Sequence, residues 1–118
     1  MPPERTLFTR IMDGEIPGSF VYKDDDLVAI RDIQPAAPVH ILVIPRKPVQ
    51  SLDQLEEEDT VLAGRLLLAV ARIAKQEGLT DGYRVVVNTG EAGGQTVPHL
   101  HLHILGGRKM GEGTLGEG

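Results

Sequence analysis

An α+β fold with an antiparallel sheet is what the order of the apolar segments predicts. Three β-branched segments follow one another up to Pro45 with no long helix between them, one long amphipathic helix comes next, and two more strand-like segments close the chain. A doubly wound fold would instead alternate strand with helix. At 118 residues the chain suits one domain, 1–118, with an ordered core over about 6–107 and a flexible Gly- and Glu-rich tail over 108–118.

Taken in order, Thr6 can cap a short helix running through Asp13, with Leu7, Phe8, Ile11 and Met12 on one apolar face and Gly14 as its stop. Phe20–Lys23 and Leu27–Asp32 read as two strands joined by the acidic turn Asp24-Asp25-Asp26. The continuous apolar run that His40 opens, ending at Pro45, predicts a strand buried on both faces. Ser51 with Gln54 has the spacing of a capping box, and a helix from about Asp59 to Glu77 ends at Gly78. At roughly 100° per residue, Leu62, Leu66, Ala69, Val70 and Ile73 of that helix form one stripe, away from Arg65 and Arg72. Leu67 and Leu68 fall outside the stripe, which fits either deeper burial or a subunit contact. Tyr83–Asn88 reads as a fourth strand, Gly90–Thr96 as a glycine-rich loop and His99–Leu105 as a fifth strand, giving five strands and two helices.

Composition narrows the function. A hydrophobic share of 41% and a charged share of 25% describe a folded globular protein. A net charge of -5 excludes a protein that coats duplex nucleic acid, which needs clustered Lys and Arg. The absence of Cys removes disulfides, Cys-ligated zinc and thiol nucleophiles together. No apolar run approaches the roughly 20 residues of a membrane span, and no secretory signal is apparent at the start, so a cytoplasmic protein without membrane partners is expected.

The chemistry concentrates in His99, His101 and His103, which alternate with Leu100, Leu102 and Ile104. On a strand this puts every imidazole on one face and every aliphatic chain on the other. Neighbouring members would sit roughly 7 Å apart, so one zinc ion could take two of them but hardly three, and a metal site would need His40 or a carboxylate besides. For a phosphoryl substrate no metal is needed. His101 can attack phosphorus through one nitrogen if the other is held as a hydrogen-bond donor, while the flanking imidazoles bind oxygens or supply a proton. The loop Gly90–Thr96 is suited to turning backbone amides towards an anion, with the Thr96 hydroxyl as a further donor. Asp32 either accepts hydrogen bonds from the vicinal hydroxyls of a ribose or forms a turn; Asn88 at its strand end and His40 at its strand start are equally two-sided.

Together these residues resemble the histidine triad (HIT) superfamily, whose His-x-His-x-His signature with apolar spacers matches 99–105. The likeness runs from about Thr6 to Gly107 through Asp32-Ile33-Gln34-Pro35, the run from His40 to Lys47, Tyr83–Asn88 and Gly93-Gly94-Gln95, and is greatest to the Hint branch of purine nucleoside phosphoramidases. The resemblance implies a homodimer whose five-stranded sheets join, and hydrolysis of adenosine or guanosine 5'-phosphoramidates to nucleoside monophosphate and amine. It implies no resident cofactor, with AMP or GMP as bound product. By position, it makes His101 the nucleophile, assigns His99 and His40 to its orientation and protonation, and puts His103 at the phosphate or leaving group. Asp32 would hold the ribose. Leu7, Phe8, Ile11 and Ile33 would surround the purine, and Asn88, Gly94, Thr96 and Val97 would lie on the phosphate side. The chain departs from the family pattern in three places. Thr6 and Thr9 stand where many bacterial relatives carry a zinc-binding Cys pair, so no structural zinc is implied. Pro48 replaces a frequent histidine, and Gly111-Glu112-Gly113 replaces an aromatic tail. Two other readings remain beside the phosphoramidase: a dinucleoside polyphosphate hydrolase, and a nucleotide-binding or scaffold protein with incidental catalysis.

Overall fold

The computed structural model describes residues 5–111 and consists of two helices and a five-stranded sheet. Helix α1 spans Leu7–Met12, and α2 spans Thr60–Gln76. Strands β1 (Phe20–Lys23), β2 (Leu27–Arg31), β3 (Val39–Pro45), β4 (Arg84–Val86) and β5 (Leu102–Gly106) pair antiparallel throughout, in the order β1-β2-β3-β5-β4. The α+β expectation and the count of elements both hold.

The sheet separates two cores by side-chain alternation. On one face Leu27 and Ala29 of β2, Ile41 and Val43 of β3, and Leu102 and Ile104 of β5 pack against Leu66, Ala69, Val70 and Ile73 of α2. On the other face Val28 and Ile30 of β2, with Leu42 and Ile44 of β3, pack against Phe8 and Ile11 of α1. A strand covered on both faces cannot show polar-apolar alternation, which explains the continuous run in β3. The apolar stripe foreseen for α2 is the buried one, whereas Leu67 and Leu68 are 62% and 56% exposed, so deeper burial does not account for them.

Local chemistry sets the element ends. Thr6 caps α1, its hydroxyl accepting the Thr9 N–H, and Gly14 follows the helix at φ +81°, where a Cβ would be strained. Asp24 organises the β1–β2 turn by accepting the N–H groups of Asp26 and Leu27. Ser51 precedes a 3-10 turn, Leu52–Gln54, but makes no side-chain cap, which corrects the expected Ser51–Gln54 box. The capping box is instead Glu56 with Asp59, immediately ahead of α2, and Asp59 also takes a hydrogen bond from Lys47.

The last two strands are shorter than expected. β4 ends at Val86 rather than Asn88, and β5 starts at Leu102 rather than His99. The register accounts for this. β3 and β5 pair Val43 with Leu102, so a continued ladder would bring Leu100 opposite Pro45, which has no N–H to give. The Leu100 N–H goes to the Val49 carbonyl (2.7 Å) and that of His99 to Val97 (2.8 Å). Of the tail foreseen over 108–118, residues 112–118 lie outside the described residues. Among the described residues no helix is long and apolar enough to cross a membrane.

Ile104 is wholly buried at the centre of the α2-side core. Ile104→Ala is expected to destabilise the protein by about 2–5 kcal/mol through lost burial and the cavity left behind, read as a lower urea midpoint with an unchanged slope.

Candidate active site

Alternation and register assemble the site before any side-chain bond is considered. His40 lies on the same face of β3 as Leu42 and Ile44, and β5 pairs Leu42 with His103 and His40 with Leu105. His40 and His103 are therefore diagonal neighbours on the α1 face. The residue after β2 continues its alternation: Asp32 donates its N–H to the His40 carbonyl (3.0 Å), which places it across from His40 on that face. His40 Nε2 lies 2.9 Å from His103 Nδ1 and 3.5 Å from Asp32 Oδ2. The rings of His101 and His103 are 5.0 Å apart, and Phe8 of α1 sets its ring edgewise against His101 (4.8 Å) and His99 (6.0 Å).

Each imidazole has a partner that identifies its tautomer. Burial lowers the pKa of all four histidines from the usual 6.5, that of His103 to about 4, so the rings are uncharged at neutral pH. The Ala36 N–H can only donate, so His40 Nδ1 accepts it (3.0 Å) and His40 Nε2–H donates to His103 Nδ1. His103 is left with its proton on Nε2. A carbonyl can only accept, so His99 donates from Nε2 to Pro45 O (2.7 Å), leaving Nδ1 to accept from the Thr6 hydroxyl (2.9 Å). His101 likewise donates from Nδ1 to the His99 carbonyl (2.7 Å). Its Nε2 therefore carries the lone pair, the arrangement a nucleophilic imidazole requires.

The remaining expected residues divide. Ile11 and Val97 pack with Phe8 in the α1-side core, next to the histidines. Leu7 is exposed, and Ile33 stands 93% exposed in the segment after Asp32, on open surface. Asp32 is both things foreseen for it, an acidic group facing His40 and a turn former that accepts the Gln34 N–H (2.8 Å). Gly94 lies in the glycine loop at φ +84°, and Asn88, just ahead of the loop, donates from Nδ2 to Gly93 O. Thr96 is exposed at the end of the loop. Four of the loop's amides, the N–H groups of Gly90, Gly93, Gly94 and Gln95, donate within the loop, so these four are not aimed at an anion.

Gln95 has a role that its place in the Gly93-Gly94-Gln95 motif does not reveal. Its side chain receives the Gly90 N–H and donates to the carbonyls of Gln50 and Val97, tying the loop to the segment that leads into His99. A backbone carbonyl is the expected acceptor for the second nitrogen of His101, but which carbonyls serve, that of His99 here and that of Pro45 for His99, is not legible in residue type. Among the described residues Asp32, His40 and His103 present donor atoms within 4.8 Å of one another. Two imidazoles and a carboxylate suit a zinc-class cation, which would have to replace the proton shared by His40 and His103.

The match to known proteins agrees with this geometry. The HIT domain model matches residues 13–110. The chain belongs to the HIT domain family. It is 46% identical over 109 residues to the purine nucleoside phosphoramidase of Escherichia coli, covering 92% of each chain. It is 57% identical over 107 residues to an uncharacterised HIT-like protein of Synechococcus elongatus, covering 91% of this chain and 94% of that one. The structure of a HIT family hydrolase from Legionella pneumophila superposes with a TM-score of 0.88 at 42% identity, covering 91% of this chain and 96% of that one.

The lowered histidine pKa values fix how stability depends on pH. Below about 6.5 the unfolded chain takes up protons that the folded histidines take up only at lower pH, His103 near 4, so the histidine contribution to stability is fully present above 6.5 and is lost as pH drops from there to about 4. Asp24 and Asp59, whose pKa values are lowered from the usual 3.8, contribute losses only below that range. The expected result is a melting temperature that declines between pH 6.5 and 4, with the His103 ring titrating near 4 by NMR. A His103 midpoint near 6.5 would contradict the burial argument.

Proposed function

We propose that this HIT protein hydrolyses purine nucleoside 5'-phosphoramidates to nucleoside monophosphate and amine through a covalent nucleotidyl intermediate on His101. The observation that carries this reading is the His101 Nδ1–H donated to the His99 carbonyl, which leaves Nε2 as the free nucleophile beside His103. The similarity to the Escherichia coli phosphoramidase supports the choice of substrate.

In the first step Nε2 of His101 attacks the α-phosphorus and the phosphorus-nitrogen bond breaks, the departing nitrogen taking up a proton as it leaves as an amine. Water then attacks phosphorus and cleaves the bond to Nε2, releasing AMP or GMP. His103 offers Nε2–H to a phosphoryl oxygen or to the leaving nitrogen, since its Nδ1 is already occupied by His40. Asp32 binds the ribose hydroxyls, the apolar group around Phe8 and Ile11 lies towards the base, and Asn88, Gly94, Thr96 and Val97 lie towards the phosphate. No metal enters either step. The exposed Leu67 and Leu68 of α2 and the exposed Val85 on the edge strand β4 support a homodimer.

The test is a substrate panel read with intact-mass spectrometry. Adenosine and guanosine phosphoramidates should turn over with higher specificity constants than dinucleoside polyphosphates, a slow substrate should leave one nucleotide on His101, and turnover should persist in EDTA. His101→Ala should lower kcat by at least about 10³-fold, since both the nucleophile and its covalent path disappear. Full turnover by His101→Ala would exclude the covalent route. Tight monophosphate binding with negligible turnover by the unaltered protein would favour a binding module.

A further inference from the structure

We propose that Thr6, the N-cap of α1, is a positioning residue for the nucleophile, acting through His99. The inference rests on the covalent reading of His101 given above and adds a residue to it. Its starting point is that His99, Leu100 and His101 precede β5, so the ladder that fixes Leu102 and His103 does not fix them. The acceptor that orients His101 is the carbonyl of His99, a residue outside the sheet pairing.

Besides its backbone N–H bond to the Val97 carbonyl, His99 is held by its ring. The imidazole is wholly buried and clamped at both nitrogens, Nε2–H to the carbonyl of Pro45 at the end of β3 and Nδ1 to the Thr6 hydroxyl. Thr6 has one hydroxyl proton and uses it here, because its other interaction in the cap is to accept the Thr9 N–H (3.2 Å). The nearby Thr9 hydroxyl, 3.2 Å away, is then the donor to Thr6. A single hydroxyl thus closes a chain that runs from the start of α1 through the His99 ring and carbonyl to Nδ1 of His101. The Pro45 carbonyl sets the tautomer and Thr6 completes it: with Nε2–H given to that carbonyl, Nδ1 of His99 is bare, and the Thr6 hydroxyl is the donor that satisfies it. The same helix carries Phe8, whose ring edge rests on both His99 and His101.

Three variants separate this role from simple capping. Thr6→Ser keeps donor and cap. Thr6→Asp keeps a good cap but offers only acceptors, so it draws a proton onto His99 Nδ1. Thr6→Val removes both. With the His99 ring unclamped in Thr6→Val and charged beside the nucleophile in Thr6→Asp, kcat of both should fall by about 10–100-fold with little change in KM, and Thr6→Ser should stay within about threefold of the unaltered protein. A role limited to capping would instead leave Thr6→Asp fully active. The second readout does not depend on turnover: ¹⁵N shifts of the imidazoles should show His99 protonated on Nε2 and bare on Nδ1 in the unaltered protein and Thr6→Ser, and protonated on Nδ1 in Thr6→Asp. Unchanged His99 and His101 nitrogen shifts in both Thr6→Asp and Thr6→Val would overturn the proposal. Because the shifts are measured without substrate, a failure of the phosphoramidase reading shows only in the activity of the unaltered protein, and the two outcomes stay distinguishable.

Discussion

The register between β3 and β5 is the constraint on which the rest of the molecule depends. It places Ile41 opposite Ile104 and Leu42 opposite His103, and those two pairs point to opposite faces of the sheet. A slip of one residue would turn the imidazole of His103 into the α2 core and leave Ile104 beside His40. The slip is opposed from both sides at once, since each face is buried under its own helix. Hydrophobic burial on the α2 face thus does the work of aligning polar groups on the α1 face, and the site inherits the rigidity of the core.

Imidazoles set side by side, His40 5.1 Å and His101 5.0 Å from His103, would repel if charged, and the structure avoids this by keeping them neutral and bonded. Burial disfavours the charged form of each ring and lowers every pKa in the group. A buried polar atom left without a partner costs about 1–3 kcal/mol, which makes a half-satisfied row unstable. Among the described residues no buried side-chain nitrogen or oxygen lacks a partner. The partners are mostly fixed in sense: backbone carbonyls for His99 and His101, and a backbone N–H for His40. Rings with only one way to bond have only one tautomer, so ordinary hydrogen bonding supplies the directional information that nucleophilic chemistry needs.

The parts of this arrangement visible in the sequence are those written in side-chain type and period. The two-period of His99 to Ile104 revealed a polar and an apolar face, and the continuous run after His40 revealed a strand covered twice. The alternation of faces survives through His99, although the ladder begins only at Leu102, because the buried Leu100 still belongs to the α2-side core. The end of pairing was less legible. Pro45 lies on another strand, and its missing N–H matters to Leu100 only once the register is known. The glycine loop was legible only in part for a related reason: glycines allow amides to converge on an anion and equally allow a tight turn that uses them itself, and four of the loop's amides take the second course, one of them through the Gln95 side chain. Backbone acceptors such as Pro45 O and His99 O leave no trace in residue identity, and the role of Thr6 was half visible, as a cap but not as a donor to a ring 93 residues away.

The neutrality of the row also bears on where catalytic electrostatics would act. The chain carries a net charge of -5, and its histidines hold no formal charge at rest, so an anionic phosphoryl group would be met by oriented N–H dipoles. Positive charge would arise only when Nε2 of His101 bonds to phosphorus. Asp32 is placed for that moment, because its carboxylate favours the charged forms of His40, His101 and His103 alike. The His99 carbonyl, accepting from Nδ1 of the same ring, acts in the same direction. Burial opposes charge before attack, and a fixed carboxylate and a fixed carbonyl receive it during attack. Interactions that strengthen as the reaction proceeds lower the barrier, whereas those of equal strength throughout only tighten binding. In the proposed mechanism the four uncharged imidazoles therefore serve as a resting state whose electrostatic advantage appears with the covalent bond.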